Sequence, residues 1–211
     1  MCSRYEIKTR PENIAERFRL ADTPLDFATL FNARGDSPAR PEVRPTDPAP
    51  IVVRDADGAR QARLARFGLA VAWDKAPVIN ARAETLHQKP TFRPLLANRC
   101  LVPASAYFEW RQDGRARRRN RIALDGAELM GFAGLFDADR FVIITCAPTP
   151  EIARVHDRMP AVLPAGAEDA WLDPNASRAA LAALLAPYEG RIAAVEEPRK
   201  PPAQGDLFGG G

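Results

Sequence analysis

Proline most constrains the fold of this chain, because it occurs 20 times in 211 residues, about twice its average share. Each proline lacks a backbone N–H and interrupts a helix interior, so this density divides the chain into short elements. The 46% of hydrophobic residues is enough for a core, and the length suits one domain or at most two small ones. We therefore expect one α+β domain over residues 1–195, mainly antiparallel β-sheet or an open barrel with short flanking helices.

Short apolar runs bounded by turn residues predict the individual elements. The sequence DADG at 55–58 predicts a turn between two strands, and 125–126 (DG) and 137–140 are expected as hairpin turns between later strands. The segment 38–50 holds five prolines and is expected to be an extended loop. The expected strands are 51–53, 62–67, 99–107, 121–124, 129–136 and 141–145, and the expected helices are 13–20, 150–155, 167–172 and 177–185, the last capped by Ser177.

The chain has no apolar run of about 18 residues, and its N-terminus lacks the apolar core of a signal peptide, so we expect a cytoplasmic protein. The net charge of +3 is too small to indicate a nucleic-acid partner by itself. Its distribution is more informative, because six arginines fall between residues 111 and 121 against one acid, Asp113. We expect the run at 115–121 to lie in a hairpin connection, where it either lines a path for phosphate or only solvates a loop.

Cys2 has the most distinctive chemistry in the chain. Cysteine is small enough for Met1 to be removed, which would leave an α-amine and a thiol on one residue, both with a usable nucleophilic fraction near neutral pH. Such a 1,2-aminothiol condenses with an aldehyde to a Schiff base, which the thiol closes to a thiazolidine. It can equally act as an acyl nucleophile with its own amine as base. The position of Cys2 alone does not decide between these two reactions. A third alternative is that residue 2 has no reactive role and is only small enough for Met1 to be removed.

The other two cysteines, Cys100 and Cys146, lie in apolar strand-like runs, where a buried and inert thiol is expected. The chain has no CxxC pair, and its two histidines and three cysteines are too scattered for metal-ligand spacing. We therefore expect neither a metal nor a cofactor.

Four sequence blocks carry a resemblance to a known family. They are MCSRY at 1–5, NARAET at 80–85, PASAYFEW at 103–110 and HDRMP at 156–160. In this order they resemble the SOS response-associated peptidase family, whose members are abasic-site processing proteins that crosslink to single-stranded DNA. The resemblance extends from Cys2 to about Trp171.

The resemblance implies a role for each residue of the site. Cys2, after loss of Met1, would form the thiazolidine with the ring-opened aldehyde of an abasic deoxyribose, and Asn80 would hold the N-terminal residue and its amine. Glu109 would be the general acid and base, also in removal of Met1 and in the reverse reaction. His156 would be the second proton-transfer group. The residue chemistry agrees, because burial and neighbouring charges bring carboxyl and imidazole pKa values toward neutral pH.

The resemblance also implies DNA contacts from arginines, which bind phosphate, and from aromatic residues, which stack on bases. Phe67 replaces the tryptophan that is usual in the family, and Ser3 replaces a glycine. We expect these two differences to affect the rate of the reaction with the abasic site rather than the class of reaction. The expected DNA-binding residues are Arg4, Phe67, Trp73, Arg82, Trp110 and Arg158. Simpler pairings are the alternatives for three polar residues: Arg82 with Glu84, Glu109 with Arg111, and His156 with Asp157.

The function implied is that of an abasic-site sensor, which captures the lesion in single-stranded DNA and protects it. Autoproteolytic, peptidase-like and lyase-type activity would accompany the covalent protein–DNA linkage. We expect a cytoplasmic monomer that joins the nucleoid on DNA damage. Two alternatives are an N-terminal-nucleophile cysteine peptidase acting on proteins and a non-covalent DNA-binding adaptor. The adaptor would keep its binding after Cys2→Ala and would release DNA in high salt.

The last segment, 196–211, is rich in proline and glycine and is expected to be a flexible tail. It contains two adjacent large apolar residues in the sequence QGDLF at 204–208. That sequence resembles the peptide by which bacterial replication and repair proteins dock on the sliding clamp; alternatively, it is only a random tail end. The docking residues would be Gln204, Asp206, Leu207 and Phe208.

Overall fold

Two β-sheets hold most of the chain. The structure, a computed structural model, describes residues 2–21 and 40–198; the proposed clamp-binding sequence at 204–208 lies outside the described residues. The strands are β1 (Arg4–Ile7), β2 (Arg40–Val43), β3 (Pro48–Arg54), β4 (Arg60–Phe67), β5 (Leu69–Val71), β6 (Asp74–Val78), β7 (Asn80–Arg82), β8 (Arg99–Ala104), β9 (Ala106–Asp113), β10 (Ala116–Leu124), β11 (Met130–Asp137), β12 (Arg140–Cys146), β13 (Met159–Pro160), β14 (Val162–Leu163) and β15 (Ile192–Glu196). The α-helices are α1 (Pro11–Phe18), α2 (Pro150–Ala153), α3 (Glu168–Leu172) and α4 (Arg178–Leu184).

The first sheet has five strands in the order β15-β10-β9-β1-β2. β1 is antiparallel to β9, with Arg4 opposite Phe108. On its other side β9 is antiparallel to β10, with Glu109 opposite Asn120. Because β1 and β9 run in opposite directions, the residues just before Arg4 lie along the part of β9 that follows Phe108. This register brings the N-terminal segment beside Glu109.

The second sheet closes into a small barrel. Its strands follow the order β12-β4-β3-β8-β11, and β11 also pairs with β12, which completes the ring. β7 and β13 pair with β12, and β14 pairs with β11. Most pairs are antiparallel, whereas β12 is parallel to β4 and β7. The predicted α+β class with mainly antiparallel sheet is confirmed, and the barrel is closed rather than open.

One nearly continuous segment connects the two sheets. β8 belongs to the barrel and β9 to the five-stranded sheet, and only Ser105 separates them. The Ser105 N–H donates to the carbonyl of Glu6, and its hydroxyl accepts from the N–H of Lys8 at 2.9 Å. The end of β1 is thereby fixed where the chain passes from one sheet to the other.

Aromatic side chains pack between the two sheets. Tyr5 of β1 and Tyr107 of β9 both meet Phe132 of the barrel edge to face, with ring centroids 6.2 and 6.0 Å apart. All three rings are fully buried, and such contacts add to the stabilisation from burial itself. This packing fixes the strands next to Cys2 and Glu109 against the barrel.

The helices are short, as the proline density predicts, and each lies within two residues of its predicted bounds. α1 has Pro11 in its first turn, where the missing N–H costs no hydrogen bond. Ser177 caps α4 as predicted, its hydroxyl accepting from the Ala180 N–H at 3.2 Å. No helix in the described parts of the chain is long and apolar enough to cross a membrane.

Two predicted connections between strands are wrong. The DG turn at 125–126 does not join a hairpin, because β10 belongs to the five-stranded sheet and β11 to the barrel. The arginine run at 115–121 is not a loop, because β10 begins at Ala116 and continues through the run. Both errors arise because β10 pairs with β9 and β15, and local turn signals do not report which partner a strand will choose.

Two further segments are more regular than their composition predicts. In the described part of 38–50, residues 40–43 form β2 and residues 48–50 begin β3. Glu196, expected to begin the tail, is the last residue of β15, which pairs with β10. Proline is tolerated at strand starts and sheet edges, so a proline-rich segment can still contribute strand there.

Candidate active site

Cys2 precedes β1 and is buried. Its side chain is 1% exposed, and its thiol donates to the backbone carbonyl of Arg4 at 3.8 Å. Burial raises the pKa of this thiol well above its ordinary value, and the negative charge of Glu109 raises it further. The thiol is therefore protonated near neutral pH, and reaction at the sulfur needs a base.

Glu109, on β9, is the carboxylate that interacts electrostatically with Cys2. Glu109 is 2% exposed, and its Oε2 lies 3.7 Å from Nε2 of His156. Burial raises the pKa of the Glu109 carboxyl, and the charge of His156 offsets part of this effect. A carboxyl group with a raised pKa exchanges protons closer to neutral pH than an ordinary glutamate. The alternative of a surface Glu109 paired with Arg111 is wrong, because Arg111 pairs with Glu196 at 2.9 Å.

His156 has a partner for its second nitrogen in either protonation state. In the neutral ring Nδ1 accepts from the backbone N–H of Arg158 at 3.0 Å, which leaves the proton on Nε2, facing Glu109. In the protonated ring the carboxylate of Asp157, 3.0 Å from Nδ1, accepts from it. Nδ1 thus has both a donor and an acceptor within hydrogen-bonding distance, while Nε2 points toward Glu109.

Arg158 connects the His156 segment to the turn after β7. Its guanidinium donates to the Glu84 carboxylate at 2.7 and 2.9 Å and to the Thr145 carbonyl at 2.6 Å. The bond from Arg158 lowers the pKa of Glu84. Glu84 thus pairs with Arg158, and the alternative pairing with Arg82 is wrong. A phosphate could use the Arg158 guanidinium only after displacing Glu84.

Asn80 is placed with its side chain turned inward. It begins β7, where it lies opposite Ile143 of β12. Both polar atoms of its amide are buried and have no hydrogen-bond partner among the described residues. The hydroxyl of Thr145, two residues further along β12, is likewise buried without a partner there. Because a buried polar group without a partner costs free energy, a polar group bound at this point would be stabilised.

Trp110 brings together several arginines. Side chains alternate along a strand, so Trp110 faces the opposite side of the sheet from Glu109. Three guanidinium groups lie within cation–π distance of its ring: Arg4 at 5.5 Å, and Arg117 and Arg119 at 5.8 Å. We call these four residues the Trp110 platform. It unites two of the predicted DNA-binding residues, Arg4 and Trp110, with two arginines of the run at 115–121.

Phe67 does not belong to a DNA-binding surface, and this prediction is wrong. Its ring is fully buried, stacked on Phe141 at 5.2 Å and packed edge to face against Tyr5 at 5.7 Å. No base can reach it. Trp73, by contrast, is 69% exposed in the turn between β5 and β6, and Arg82 is exposed at the end of β7.

Three residues that adjoin the site are not among the predicted site residues. Tyr107 is fully buried on β9, and the alternation of side chains along a strand would have placed it on the same face as Glu109. Arg119 and Glu42 are bonded at 2.6 Å although 77 residues separate them. No local signal reports that contact, which depends on the order of strands in the sheet.

The remaining thiols are buried, as predicted. Burial raises the pKa of both, that of Cys146 to about 11. Within residues 2–21 and 40–198 no group of three or more His, Cys, Asp or Glu side chains is placed to hold a metal ion.

Several curated proteins are similar to this chain, and they share one kind of name. The abasic site processing protein YoqW of Bacillus subtilis is 32% identical over 206 residues, which cover 90% of this chain and 88% of YoqW. The abasic site processing protein YoaM of the same bacterium is also 32% identical over 206 residues, 90% of this chain and 87% of YoaM. The abasic site processing protein YedK of Escherichia coli is 31% identical over 109 residues, 47% of this chain and 49% of YedK.

Solved structures share the fold. A protein from Bacteroides thetaiotaomicron superposes with a TM-score of 0.80 at 24% identity, covering 92% of this chain and 91% of that one. A phage-related protein from Bordetella bronchiseptica superposes with a TM-score of 0.71 at 25% identity, covering 94% and 95%. The profile of the SOS response associated peptidase (SRAP) family matches residues 1–198, nearly the whole chain. The chain therefore belongs to the SOS response associated peptidase family.

Proposed function

We propose that this protein processes abasic sites in single-stranded DNA, and that it captures their ring-opened aldehyde covalently through Cys2 once Met1 has been removed. The names of YoqW, YoaM and YedK supply the substrate class. The observation that carries the chemistry is the buried Cys2 thiol, which the register of β1 and β9 places beside the strand that holds Glu109. Oε2 of Glu109 is in turn 3.7 Å from Nε2 of His156.

The reaction uses both nucleophiles of residue 2. Loss of Met1 converts the peptide nitrogen of Cys2 into an amine, which adds to the aldehyde carbon. Glu109 in its protonated form delivers the proton that lets the hydroxyl leave as water, and a Schiff base remains. The thiol then adds to the same carbon, and its proton passes to the Glu109 carboxylate. The product is a five-membered thiazolidine, and the net change is the loss of one water.

His156 completes the proton path. With its proton on Nε2 it faces Glu109 at 3.7 Å, and a proton would pass between the two groups once they close to hydrogen-bond distance as the sugar ring opens. We assign autoproteolytic removal of Met1 and lyase-type chemistry to the same groups, because each reaction moves protons at atoms attached to residue 2. Asn80, whose buried amide has no partner among the described residues, would hold the freed amine in place.

Single-stranded DNA suits the exposed aromatic and arginine side chains of this protein. An abasic lesion offers no base to read, so the protein must bind the backbone and stack on neighbouring bases. Exposed Trp73 provides a stacking face, and Arg82 and the Trp110 platform provide charge for phosphate. Such a protein works in the cytoplasm, at damaged DNA of the nucleoid.

The tail is proposed to add a second contact, with the sliding clamp. A synthetic peptide of residues 196–211 should bind purified clamp, and the same peptide with Leu207→Ala and Phe208→Ala should not. Equal binding of both peptides, or binding of neither, would refute docking of the tail on the sliding clamp.

The main proposal is tested by a denaturing gel. Untagged protein shown to begin at Cys2 is mixed with a single-stranded oligonucleotide that carries one abasic site, and Cys146→Ala serves as the matched cysteine control. Wild type and Cys146→Ala should form a band that resists denaturant, Cys2→Ala should form none, and Glu109→Ala should form it slowly. No adduct from wild type would refute covalent capture. Binding that survives Cys2→Ala and washes off in high salt would favour the adaptor, and cleavage of a protein substrate without an adduct would favour the peptidase.

A further inference from the structure

A single carboxylate on β2 binds three arginines next to the Trp110 platform. Glu42 accepts from Arg4 at 3.0 Å, from Arg44 at 3.0 Å and from Arg119 at 2.6 Å. Its side chain is only 15% exposed. Burial by itself would raise the pKa of Glu42, but the charge of Arg119, together with Arg44 and Arg4, outweighs burial and lowers that pKa. Glu42 is therefore ionised throughout the neutral pH range.

The contact between Glu42 and Arg119 crosses the sheet. Arg119 lies on β10 and Glu42 on β2, with β9 and β1 between them, so the two strands are about 14 Å apart at the usual strand spacing. The Arg119 and Glu42 side chains together span this distance, and they meet at 2.6 Å. The Arg119 guanidinium carbon lies 3.8 Å from the centroid of the Phe108 ring. Glu42 thus holds Arg119 and Arg4 flat on the outer face of the sheet, near Trp110.

Phosphate and Glu42 would compete for the same guanidinium groups. Arg4 and Arg119 are 39% and 28% exposed, so each can still meet a phosphate from solvent. Arg4 and Arg44 pair with Glu42, and Arg119 pairs with Glu42 at 2.6 Å and with Glu197 at 3.3 Å. Glu42 by itself therefore lowers the net charge around these three arginines by one. Affinity for a nucleic-acid backbone follows the number of phosphates neutralised, because each releases a counterion.

We propose that Glu42 limits how tightly this surface holds DNA phosphate, so that lesion-free single strands are released and the protein is retained only where Cys2 reacts. The inference rests on the proposed function, because it takes single-stranded DNA as the ligand. It adds a specificity-determining role for a residue that contacts neither the lesion nor Cys2.

The test is equilibrium binding of a lesion-free oligothymidine across a range of salt concentrations, followed by fluorescence anisotropy. Glu42→Gln removes the charge and keeps the size of the side chain, whereas Glu42→Asp keeps the charge. Glu16→Gln, an exposed position on α1, is the control for an equal change in net charge. Glu42→Gln should bind more tightly, with a plot of log K against log salt steeper by about 0.7. The ratio of the Glu42→Gln binding constant to the wild-type binding constant should fall about threefold between about 50 and about 200 mM salt.

The matched variants decide the interpretation. Glu42→Asp and Glu16→Gln should keep the wild-type slope, and adding Arg119→Gln to Glu42→Gln should restore it. A wild-type slope in Glu42→Gln would overturn the inference and leave Glu42 as a support for the arginines. An equal change in Glu16→Gln would overturn it in favour of net charge. Failure of the proposed function would look different, as the absence of any Cys2-dependent adduct on abasic DNA.

Discussion

Replacing Glu168 by glutamine should destabilise the fold without altering the active site. Glu168, at the start of α3, is 1% exposed and accepts from Arg17 of α1 at 2.8 and 3.2 Å and from Arg60 of β4 at 3.0 Å. Arg60 is also buried, and it donates to Asp169 and to the carbonyl of Phe18. Glutamine has the shape of glutamate but no charge, so two guanidinium groups lose their shared counter-charge.

The free energy of unfolding should fall by about 3 kcal/mol. Removing one partner of a buried ion pair costs about 3–5 kcal/mol, because it leaves a buried charge without compensation. The lower end applies because Arg60 keeps Asp169 at 2.7 Å and Arg17 is 26% exposed. In a chain of this length about 1 kcal/mol corresponds to about 2–4 °C, so the Tm should fall by about 6–12 °C.

Urea unfolding followed by circular dichroism, with a thermal melt, measures this loss. Asp125→Asn is the control, because its pair with Arg191 is exposed and should contribute nothing measurable. Adduct formation by folded Glu168→Gln should match wild type. A loss below about 1 kcal/mol would refute the reasoning, because it would show that the buried arginines do not depend on this carboxylate.

The remaining predictions concern Glu109, the buried core and the exposed Trp73. Glu109→Gln should slow adduct formation by about 10²–10⁴-fold. Because burial raises the pKa of Glu109, its contribution to wild-type stability is complete below the ordinary glutamate pKa and is lost as pH rises through the raised value. Urea unfolding should therefore show that the free energy of unfolding of Glu109→Gln increases relative to that of wild type as pH rises. A difference in unfolding free energy that does not change with pH would contradict the raised pKa. Phe67→Ala should cost about 3–5 kcal/mol in urea unfolding. Trp73→Ala should change stability by less than about 0.5 kcal/mol but weaken binding of single strands by about 1–3 kcal/mol. A large loss of stability in Trp73→Ala and a small one in Phe67→Ala would contradict the exposure of Trp73 and the burial of Phe67. Iodoacetamide should leave Cys100 and Cys146 unlabelled in the folded protein by mass spectrometry, and labelling of either would contradict its burial.

Elements with local signals could be predicted from the sequence. The Ser177 cap and the apolar positions after it predict α4, and DADG at 55–58 predicts the hairpin of β3 and β4. The prediction that the arginine run at 115–121 forms a loop is wrong because clustered charged residues are typical of exposed connections, whereas β10 contains most of this run. In the sheet, arginines at alternate positions of β10 reach acids on other strands, Arg119 to Glu42 and Arg121 to Glu6. A charged strand is stable when neighbouring strands supply partners, and the local sequence does not report them.

The same distinction applies to the site. The sequence blocks predict Cys2, Glu109 and His156. The register of β1 and β9 brings Cys2 beside the part of β9 that holds Glu109, and Oε2 of Glu109 lies 3.7 Å from Nε2 of His156. The bond between Glu84 and Arg158 joins residues 74 apart, so the nearer Arg82 was a natural but wrong partner. Alternation along β4 did not assign Phe67 to the core, because Arg63 and Leu64 are both exposed and interrupt it.

Mass spectrometry of the protein–DNA product tests the central claim most directly. Protein that begins at Cys2 is incubated with abasic single-stranded DNA, treated with borohydride and then with iodoacetamide under denaturing conditions, and digested. A thiazolidine predicts a Cys2 peptide joined to the sugar with the loss of one water, no added hydrogen atoms and no alkylation of its sulfur. A Cys2 peptide that gains two hydrogen atoms and an alkyl group would show that only the amine had reacted. That result would contradict capture through the aminothiol of residue 2.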